Sequence, residues 1–417
     1  MEITYPRPLR PGDTVGVTAP SSGVGEQHRA RFDHAVAWLQ EQGYEVELGA
    51  CLDGSSHVSA PVAERAAELQ RMLIDPHVRV VIPPWGGETA IDVLPHLDLE
   101  AIAAAEPTWM VGFSDISTIL TPLTLLTGWA TVHGTNLMDS PYEVPAPLLS
   151  WLDVVTAPTG STLRQSSPGV HRASSWDDWT EDPTVSRHTW DGTGGWRRID
   201  AGGAVPGDGA VPGDGAGGDG SSGDGEGGAS AQDLDLTGRI IGGCIETQSG
   251  IAGSRYGRTA ALRARGGWSG QEGADGAAAV SGAGGAAGTA GASGARSAAA
   301  VAAAAEGDGA ADQDGDLIVY VEASGEDALS ICRRLHGMRL AGYFDGAVAV
   351  LVGRTKAPDS PTLTQTDAVL DALGSLGVPI IADVECGHVP PYLLLVNGAL
   401  GRLVWSESER FIEQTLV

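Results

Sequence analysis

The 417-residue sequence has few cysteines and no long apolar run. Its four cysteines (Cys51, Cys244, Cys332 and Cys386) are far apart and form no C-x-x-C pair, so neither a disulfide framework nor a zinc site is predicted. No stretch is apolar enough to cross a bilayer, and the amino terminus has no charged region followed by an apolar one. These absences predict a cytoplasmic protein without a membrane span.

Basic residues are also scarce. The chain has 25 Lys and Arg against 53 Asp and Glu, and its formal net charge is -28. Two glycine-rich tracts hold part of the acidic excess, but the remainder is acidic as well. Nucleic acids and anionic membranes are bound by clustered Lys and Arg, so neither is expected as a partner.

Glycine is abundant, and its excess is local. Residues 201–233 repeat Ala-Val-Pro-Gly-Asp-Gly at 204–209 and 210–215, and residues 266–315 are nearly all Gly, Ala, Ser, Asp and Glu. Neither tract can bury enough apolar surface to offset its chain entropy. Both are predicted to be disordered insertions, and the rest of the chain is long enough for two domains.

Apolar strands alternate with amphipathic helices in the first part of the chain. Predicted strands cover 13–18, 44–48, 78–83, 108–111 and 129–133, with helices at 27–42, 59–73, 90–97 and 117–127 between them. This alternation predicts an α/β fold with a doubly wound, mostly parallel N-terminal sheet. Ligand sites of such sheets lie beyond the carboxyl ends of the strands.

A smaller α/β C-terminal domain is predicted from a second alternation. It begins near Gly238 and resumes with strands at 316–322, 346–353 and 379–384 and helices at 327–340 and 367–376. The predicted organisation is an N-terminal nucleophile domain at 1–165, a tryptophan-rich connecting loop at 166–200, the insertion 201–233, and a C-terminal domain at 234–417 interrupted by 266–315.

The motif Gly112-Phe113-Ser114-Asp115 follows a predicted strand and precedes a helix. A serine on such a turn can present its hydroxyl at the sheet edge as a nucleophile, next to a free backbone amide. Ile116 stands where a hydrolase elbow would have its closing glycine. Taken alone, the motif is more often an ordinary helix N-cap than a catalytic turn.

Four tryptophans fall in the connecting loop, at 176, 179, 190 and 196. They could form a cluster that covers the sheet, or a wall on which a planar ligand stacks. Two histidines, His133 and His388, follow predicted strands, a position where histidine is commonly structural.

Several motifs occur in an order that resembles a serine peptidase family, the LD-carboxypeptidases and microcin C immunity peptidases. They are Pro11-Gly12-Asp13, Ala19-Pro20-Ser21, Gly86-Gly87, Gly112 to Asp115, His133-Gly134, Ile241-Gly242-Gly243, Glu322 and Asp383-x-x-x-Gly387-His388. The resemblance spans nearly the whole chain except the insertions. It implies Ser114 as nucleophile, Glu322 as acid and His388 as base, in a homodimer with the site between the two domains.

This assignment is chemically consistent. A serine hydroxyl needs a base to take its proton, and a carboxylate behind the imidazole fixes the tautomer. The amide of Asp115 and one from Gly86 or Gly87 would bind the oxyanion. Glu246 is the rival acid, or a solvated or substrate-facing carboxylate. No metal or cofactor is expected.

The resemblance leaves two branches open. Gly86-Gly87-Glu88-Thr89 and the loop with Trp190 and Trp196 resemble the immunity branch, where an aromatic side chain stacks on the nucleotide of an acyl adenylate analogue and the amide-like bond is cut. The alternative is a cytoplasmic LD-carboxypeptidase that releases D-alanine from cell-wall tetrapeptides. A third hypothesis is a non-catalytic protein that binds a small ligand in its cleft.

Overall fold

The computed structural model describes residues 2–200, 233–263 and 316–417. Of the two predicted insertions, 266–315 lies outside the described residues, and so does 201–233 except for Asp233. In the part of the chain that is described, no helix is long and apolar enough to cross a membrane.

The strands and helices alternate along the chain. The strands are β1 Thr14–Val17, β2 Glu45–Leu48, β3 Val78–Val81, β4 Trp109–Gly112, β5 Thr131–His133, β6 Thr162–Gln165, β7 Val170–His171, β8 Gly192–Thr193, β9 Arg197–Arg198, β10 Leu234–Cys244, β11 Leu317–Glu322, β12 Ala347–Gly353, β13 Ile380–Val384, β14 Leu395–Asn397, β15 Leu400–Trp405 and β16 Arg410–Thr415. The α-helices are α1 Arg29–Glu41, α2 Val62–Ile74, α3 Leu99–Ala103, α4 Ser117–Thr127, α5 Trp151–Thr156, α6 Ile245–Ile251, α7 Ala328–Leu340 and α8 Gln365–Leu373. Short 3-10 helices cover Glu26–His28, Ala90–His96, Ser114–Ile116, Leu137–Asp139, Thr259–Arg263 and Gly374–Leu376.

The first sheet has the strand order β14-β5-β4-β3-β1-β2. Its strands β1 to β5 are parallel, and β14 adds to the edge antiparallel to β5. The four residues of β4 are all buried, as expected for a strand covered on both faces. The α/β fold with a mostly parallel sheet is therefore confirmed.

The second sheet has the order β6-β16-β15-β10-β11-β12-β13-β9. Its centre, β10 to β13, is parallel, whereas the pairs toward both edges are antiparallel. The sheet takes β6 from the segment predicted as the N-terminal domain and β9 from the predicted connecting loop. Conversely, β14 of the C-terminal segment forms the edge of the first sheet. Each half of the chain thus contributes at least one strand to the sheet of the other half.

Helix α4 lies between the sheets and is almost entirely buried. It contacts β5 of the first sheet and β10 of the second. This position explains why apolar residues occur on all sides of the helix rather than on one stripe. The helix begins directly after Ser114–Ile116, so the packing of α4 fixes the turn that carries Ser114.

Candidate active site

Ser114 lies on a sharp turn between β4 and α4. Its φ angle is +62°, a left-handed conformation that non-glycine residues rarely adopt. Strain of this kind is typical of a nucleophile elbow. The side chain of Ile116, in place of the closing glycine, is fully buried in the core. Ser114 does not cap a helix amide, because its hydroxyl binds a histidine instead.

Ser114, His388 and Glu322 form a chain of hydrogen bonds. The Oγ of Ser114 lies 2.9 Å from Nε2 of His388, and Nδ1 of the same ring lies 2.7 Å from Oε2 of Glu322. The three residues follow or end β4, β13 and β11, whose carboxyl ends meet where the two sheets face each other. The structure thus brings together the three side chains predicted as nucleophile, base and acid.

Glu322 is completely buried, whereas the side chain of its partner His388 is 17% exposed. Burial would raise the pKa of Glu322, but the charge and hydrogen bond of His388 lower it below its usual value. Burial would likewise lower the pKa of His388, but Glu322, with Glu246 and Asp139 farther away, raises it above the usual value of histidine. The charge of Glu322 therefore stabilises the imidazolium that would form when His388 accepts a proton.

Gly387 makes room for the Glu322 side chain. Its φ angle is +109°, and a Cβ at this position would lie 2.5 Å from Oε2 of Glu322. Only glycine combines that backbone conformation with so close an approach. The Gly387-His388 pair of the motif is thus explained by packing around the carboxylate.

His133 lies on the other side of the Glu322 carboxylate. Its Nε2 is 4.0 Å from Oε1 of Glu322, and both residues are completely buried. Among the described residues, neither ring nitrogen of His133 has a hydrogen-bond partner, and Oε1 of Glu322 has none either. Burial lowers the pKa of His133 to about 4. A neutral imidazole is thus held next to the free oxygen of the acid, a role that the sequence analysis did not assign.

The predicted oxyanion donors surround Ser114. A Cβ on Gly86 would lie 3.0 Å from Cβ of Ser114 and 3.3 Å from the amide nitrogen of Asp115, so a larger residue would fill the space beside the nucleophile. Gly87 has a φ angle of +145° and lies against Ser21 and Ser22. Backbone of the Gly86-Gly87 turn and the Asp115 amide are therefore close together at Ser114.

The carboxylate of Asp115 has a structural task that the sequence analysis missed. Its Oδ2 accepts hydrogen bonds from Oγ of Ser21 at 2.6 Å and from the amide of Ala90 at 2.8 Å. These bonds tie the nucleophile turn to the loops that follow β1 and β3. The Ala19-Pro20-Ser21 motif was the available signal, since it occupies the corresponding strand end.

Glu246, the rival acid, does not bind either histidine. Its Oε1 accepts from the amides of Ser324, Gly325 and Glu326 at 2.9, 3.0 and 3.2 Å, directly after the strand that ends in Glu322. Its Oε2 accepts from the thiol of Cys244 at 3.2 Å. In this structure the carboxylate anchors a loop, and it reaches His388 only through its charge.

The two tryptophans predicted to bind substrate lie in different environments. Trp196 is only 2% exposed, and its indole nitrogen donates to Oε2 of Glu385 at 2.6 Å. The hydroxyl of Ser167 donates to the other oxygen of Glu385, just before Cys386 and Gly387. Because its faces are covered, Trp196 cannot serve as an open stacking wall, and it supports the loop of His388 instead.

Trp190 is half-buried and belongs to a series of ring contacts that leads to the catalytic histidine candidate. Its ring centroid is 5.3 Å from that of His188, which lies 6.4 Å from Tyr392. Tyr392 is 5.6 Å from Phe113, and Phe113 is 5.1 Å from His388. These contacts therefore connect Trp190 with His388 through rings that are themselves buried.

Comparison with known proteins identifies the family. The model described as the LD-carboxypeptidase N-terminal domain matches residues 15–134, and the model described as the LD-carboxypeptidase C-terminal domain matches residues 297–403. The chain belongs to the LD-carboxypeptidase family. Ser114 lies within the first match, and Glu322 and His388 lie within the second.

The curated relatives of the chain include carboxypeptidases and a microcin self-immunity protein. A putative carboxypeptidase of Vibrio cholerae is 31% identical over 260 residues, which cover 61% of this chain and 66% of that protein. The microcin C7 self-immunity protein of Escherichia coli is 28% identical over 177 residues, or 42% of this chain and 50% of that protein. The match thus spans about half to two thirds of these relatives.

Solved structures share the fold over nearly the whole chain. An MccF-like protein from Bacillus anthracis has a TM-score of 0.66 at 17% identity and covers 99% of both chains. Microcin C7 self-immunity protein MccF, in complex with aspartyl sulfamoyl adenosine, has a TM-score of 0.68 at 19% identity and covers 99% of this chain and 98% of its own. These likenesses confirm the expected architecture.

Proposed function

We propose that the protein is a cytoplasmic serine hydrolase that cleaves the amide-like bond between an aminoacyl or peptidyl group and a nucleotide moiety. The observation that carries the proposal is the hydrogen-bonded series Ser114, His388 and Glu322 at the meeting strand ends. Membership of the LD-carboxypeptidase family supports serine peptidase chemistry.

In the first step, Nε2 of His388 takes the proton of the Ser114 hydroxyl as Oγ attacks the carbonyl carbon. The 2.9 Å separation of Oγ and Nε2 suits this transfer. The Glu322 carboxylate holds the proton at Nδ1 and stabilises the imidazolium. The amide of Asp115 and the Gly86-Gly87 backbone would donate to the carbonyl oxygen as it becomes negative.

In the second step, His388 returns the proton to the leaving nitrogen and the amide-like bond breaks. A water molecule then attacks the acyl group on Ser114, with His388 again accepting a proton, and Ser114 is regenerated. The products are a free acid and the nitrogen-bearing nucleotide part. Each step uses residues of this chain only.

The nucleotide preference rests on Trp190. Its indole is half-buried, whereas the rings of His188 and Tyr392 that connect it with the site are buried, so Trp190 offers the more accessible ring for a planar leaving group. Structures of the MccF relative contain adenosine monophosphate or aspartyl sulfamoyl adenosine. Because Trp196 is buried, Trp190 is the residue to which we assign stacking.

A direct comparison of substrates tests the proposal. The unmodified protein and Ser114→Ala are given an aminoacyl sulfamoyl adenosine, and release of the nucleoside part is measured beside D-alanine release from a cell-wall tetrapeptide. We expect nucleoside release that depends on Ser114 and exceeds D-alanine release. Absence of Ser114-dependent cleavage of either substrate would leave only the ligand-binding hypothesis.

The second candidate is an LD-carboxypeptidase. It is favoured by curated relatives such as a probable murein peptide carboxypeptidase of Bacillus subtilis, 33% identical over 32% of this chain and 40% of that protein. Predominant D-alanine release in the same assay would establish this reaction instead. We further propose the homodimer implied by the family, which sedimentation equilibrium of the purified full chain would test.

A further inference from the structure

Three side chains with metal-binding atoms come together on helices α7 and α8. Cys332 and His336 are four residues apart on α7, so they share one face of the helix. Asp371 lies on α8, which packs against α7. The ligand atoms of the three residues all lie within 4.8 Å of one another.

The distances suit one small cation. Oδ1 of Asp371 lies 2.6 Å from Nε2 of His336 and 3.5 Å from Sγ of Cys332. Zinc bond lengths in a tetrahedron place sulfur and oxygen ligands about 3.6 Å apart and nitrogen and oxygen about 3.3 Å apart. The sulfur–oxygen separation therefore fits a zinc tetrahedron as it stands, and the nitrogen–oxygen separation would have to widen by about 0.7 Å.

The donor types select the kind of metal. A thiolate and an imidazole favour zinc and similar transition metals over magnesium or calcium, which prefer oxygen. Two ligands at positions i and i+4 of one helix form a spacing that also holds zinc in helical metalloprotease motifs. A thiolate and a carboxylate together carry two negative charges, which a divalent ion neutralises.

Solvent can complete the coordination. The side chain of His336 is 35% exposed and that of Asp371 is 49% exposed, so water can occupy a fourth position. Without a metal, the same residues would form only a surface hydrogen bond with a thiol beside it, which contributes little to stability.

We propose that Cys332, His336 and Asp371 bind one divalent transition-metal ion of the zinc class, with water as the remaining ligand. The ion would fasten α7 to α8, which follow the strands β11 and β12 in the sheet that carries Glu322. Its role would be structural, because its ligands are separate from Ser114, His388 and Glu322.

Arg339 provides a further test of the geometry. Its guanidinium donates to Nδ1 of His336 at 3.3 Å, which leaves the proton on Nε2. Metal binding through Nε2 requires the proton on Nδ1, where it would face the guanidinium. Removing this donor in Arg339→Gln should therefore tighten metal binding. If His336 and Asp371 only bond to each other, this variant should bind no metal.

The experiment uses the full chain, freed of metal with a chelator and kept reduced, and titrates it with Co²⁺ and then Zn²⁺. We expect one equivalent of Co²⁺ to produce a sulfur-to-cobalt charge-transfer band and tetrahedral d–d bands, which Zn²⁺ abolishes. Cys332→Ser should lose the charge-transfer band, and His336→Gln and Asp371→Asn should weaken binding by at least about 100-fold.

Matched controls are Cys51→Ala, which removes a thiol elsewhere, and His34→Gln, which removes a histidine of another helix. Both should keep the cobalt spectrum, and far-ultraviolet circular dichroism checks that every variant is folded. No charge-transfer band in the unmodified protein, or a band that survives Cys332→Ser but not Cys51→Ala, would overturn the proposal.

Discussion

Ser114 is held in a strained conformation by the contacts of neighbouring residues. The turn is fixed on one side by the buried helix α4 and on the other by the Asp115 carboxylate, which binds Ser21 and the amide of Ala90. The hydroxyl is then free to face His388. Positioning by surrounding contacts, rather than by the serine itself, distinguishes this turn from an ordinary helix cap.

Substitutions of the hydrogen-bonded series test the assigned roles. Ser114→Ala and His388→Ala should each lower turnover by about 10⁴-fold or more, because the three side chains act as one unit. Glu322→Gln should be less damaging, since Gln can still accept from Nδ1. Turnover is measured on the substrate found in the comparison above, and thermal unfolding checks the fold. Wild-type turnover by Ser114→Ala would refute the nucleophile assignment.

The pH dependence of kcat/KM should report His388. The base must be neutral to accept the Ser114 proton, and Glu322 raises its pKa above the usual value of histidine, about 6.5. Activity should therefore fall with decreasing pH, with a midpoint above about 6.5. In Glu322→Gln the negative charge is lost, so the pKa of His388 falls and the acidic limb should move to lower pH.

We expect Glu322→Gln to retain enough activity for this measurement, because it should be less damaging than Ser114→Ala or His388→Ala. Asp139 is the control, because burial raises the pKa of its carboxyl to about 6 and it could produce a similar limb. In Asp139→Asn, a limb caused by His388 should persist with only a small shift. If Asp139→Asn abolished the limb and Glu322→Gln left it in place, the ionisation would belong to Asp139.

His133 should position Glu322. Its Nε2 lies 4.0 Å from Oε1 of Glu322, and among the described residues neither atom has a hydrogen-bond partner. A small movement would let the two atoms form a hydrogen bond with each other. His133→Leu should lower kcat about tenfold, the scale of one hydrogen bond to a charged group, with KM nearly unchanged. His133→Gln can place a donor near the same point and should restore most of kcat. Equal losses in both variants, with a lowered melting temperature, would indicate a packing role alone.

At the scale of elements, the aromatic loop separates the two enzymatic hypotheses. Trp190→Ala should weaken cleavage of an adenylate analogue by at least about tenfold, because stacking a base on an aromatic ring contributes about 1 to 3 kcal/mol. Reaction of Ser114 with a small serine-directed probe should remain normal. A tetrapeptide has no planar ring to stack, so its cleavage should change little.

Trp176 supplies the control within the same loop. Its side chain is 44% exposed, and Trp176→Ala should leave adenylate cleavage unchanged. The variants are compared by kcat/KM for the adenylate analogue and for the tetrapeptide. Equal losses for both substrates in Trp190→Ala would remove the stacking argument, and undiminished adenylate cleavage would do the same.

The elements that the sequence predicts well are those with a strong local signal. Helix α4 has the predicted bounds, Ser117 to Thr127, because a Gly128 in the left-handed conformation ends it. The strands that end near Ser114 and Glu322 were likewise predicted to within one or two residues. Local periodicity suffices where one segment is buried along its whole length.

Pairings between distant segments could not be predicted in this way. Strand β14 is only Leu395–Asn397, and its place at the edge of the first sheet depends on β5, far away in the chain. Trp196 illustrates the same limit, since its partner Glu385 is 189 residues distant. The cluster of Cys332, His336 and Asp371 was missed for this reason too, because Asp371 joins the other two residues only when α8 packs on α7.

At the scale of the whole molecule, the two halves of the chain are joined by α4 and by strands that pair with the sheet of the other half. Strand β6 pairs with β16, and β14 pairs with β5. The turn with Ser114 therefore belongs to the same core as β11, which ends in Glu322, and β13, which precedes His388. The insertions interrupt the chain between elements of that core rather than within them, before β10 and before β11.

This arrangement leads to a prediction for the glycine-rich segments. Residues that flank the two segments are hydrogen-bonded to the second sheet. The Asp200 carboxylate accepts from the amide of Ile380 at 2.9 Å, and the amide of Leu317 donates to the carbonyl oxygen of Gly346 at 2.9 Å. Replacing residues 201–233 and 266–315 by short Gly-Ser linkers should therefore change the melting temperature and kcat very little, because closure entropy grows only slowly with loop length. Each deletion is made alone and then combined. Unfolding of either single deletion, or protection of these amides from hydrogen exchange in the full chain, would show that the segment packs on the core.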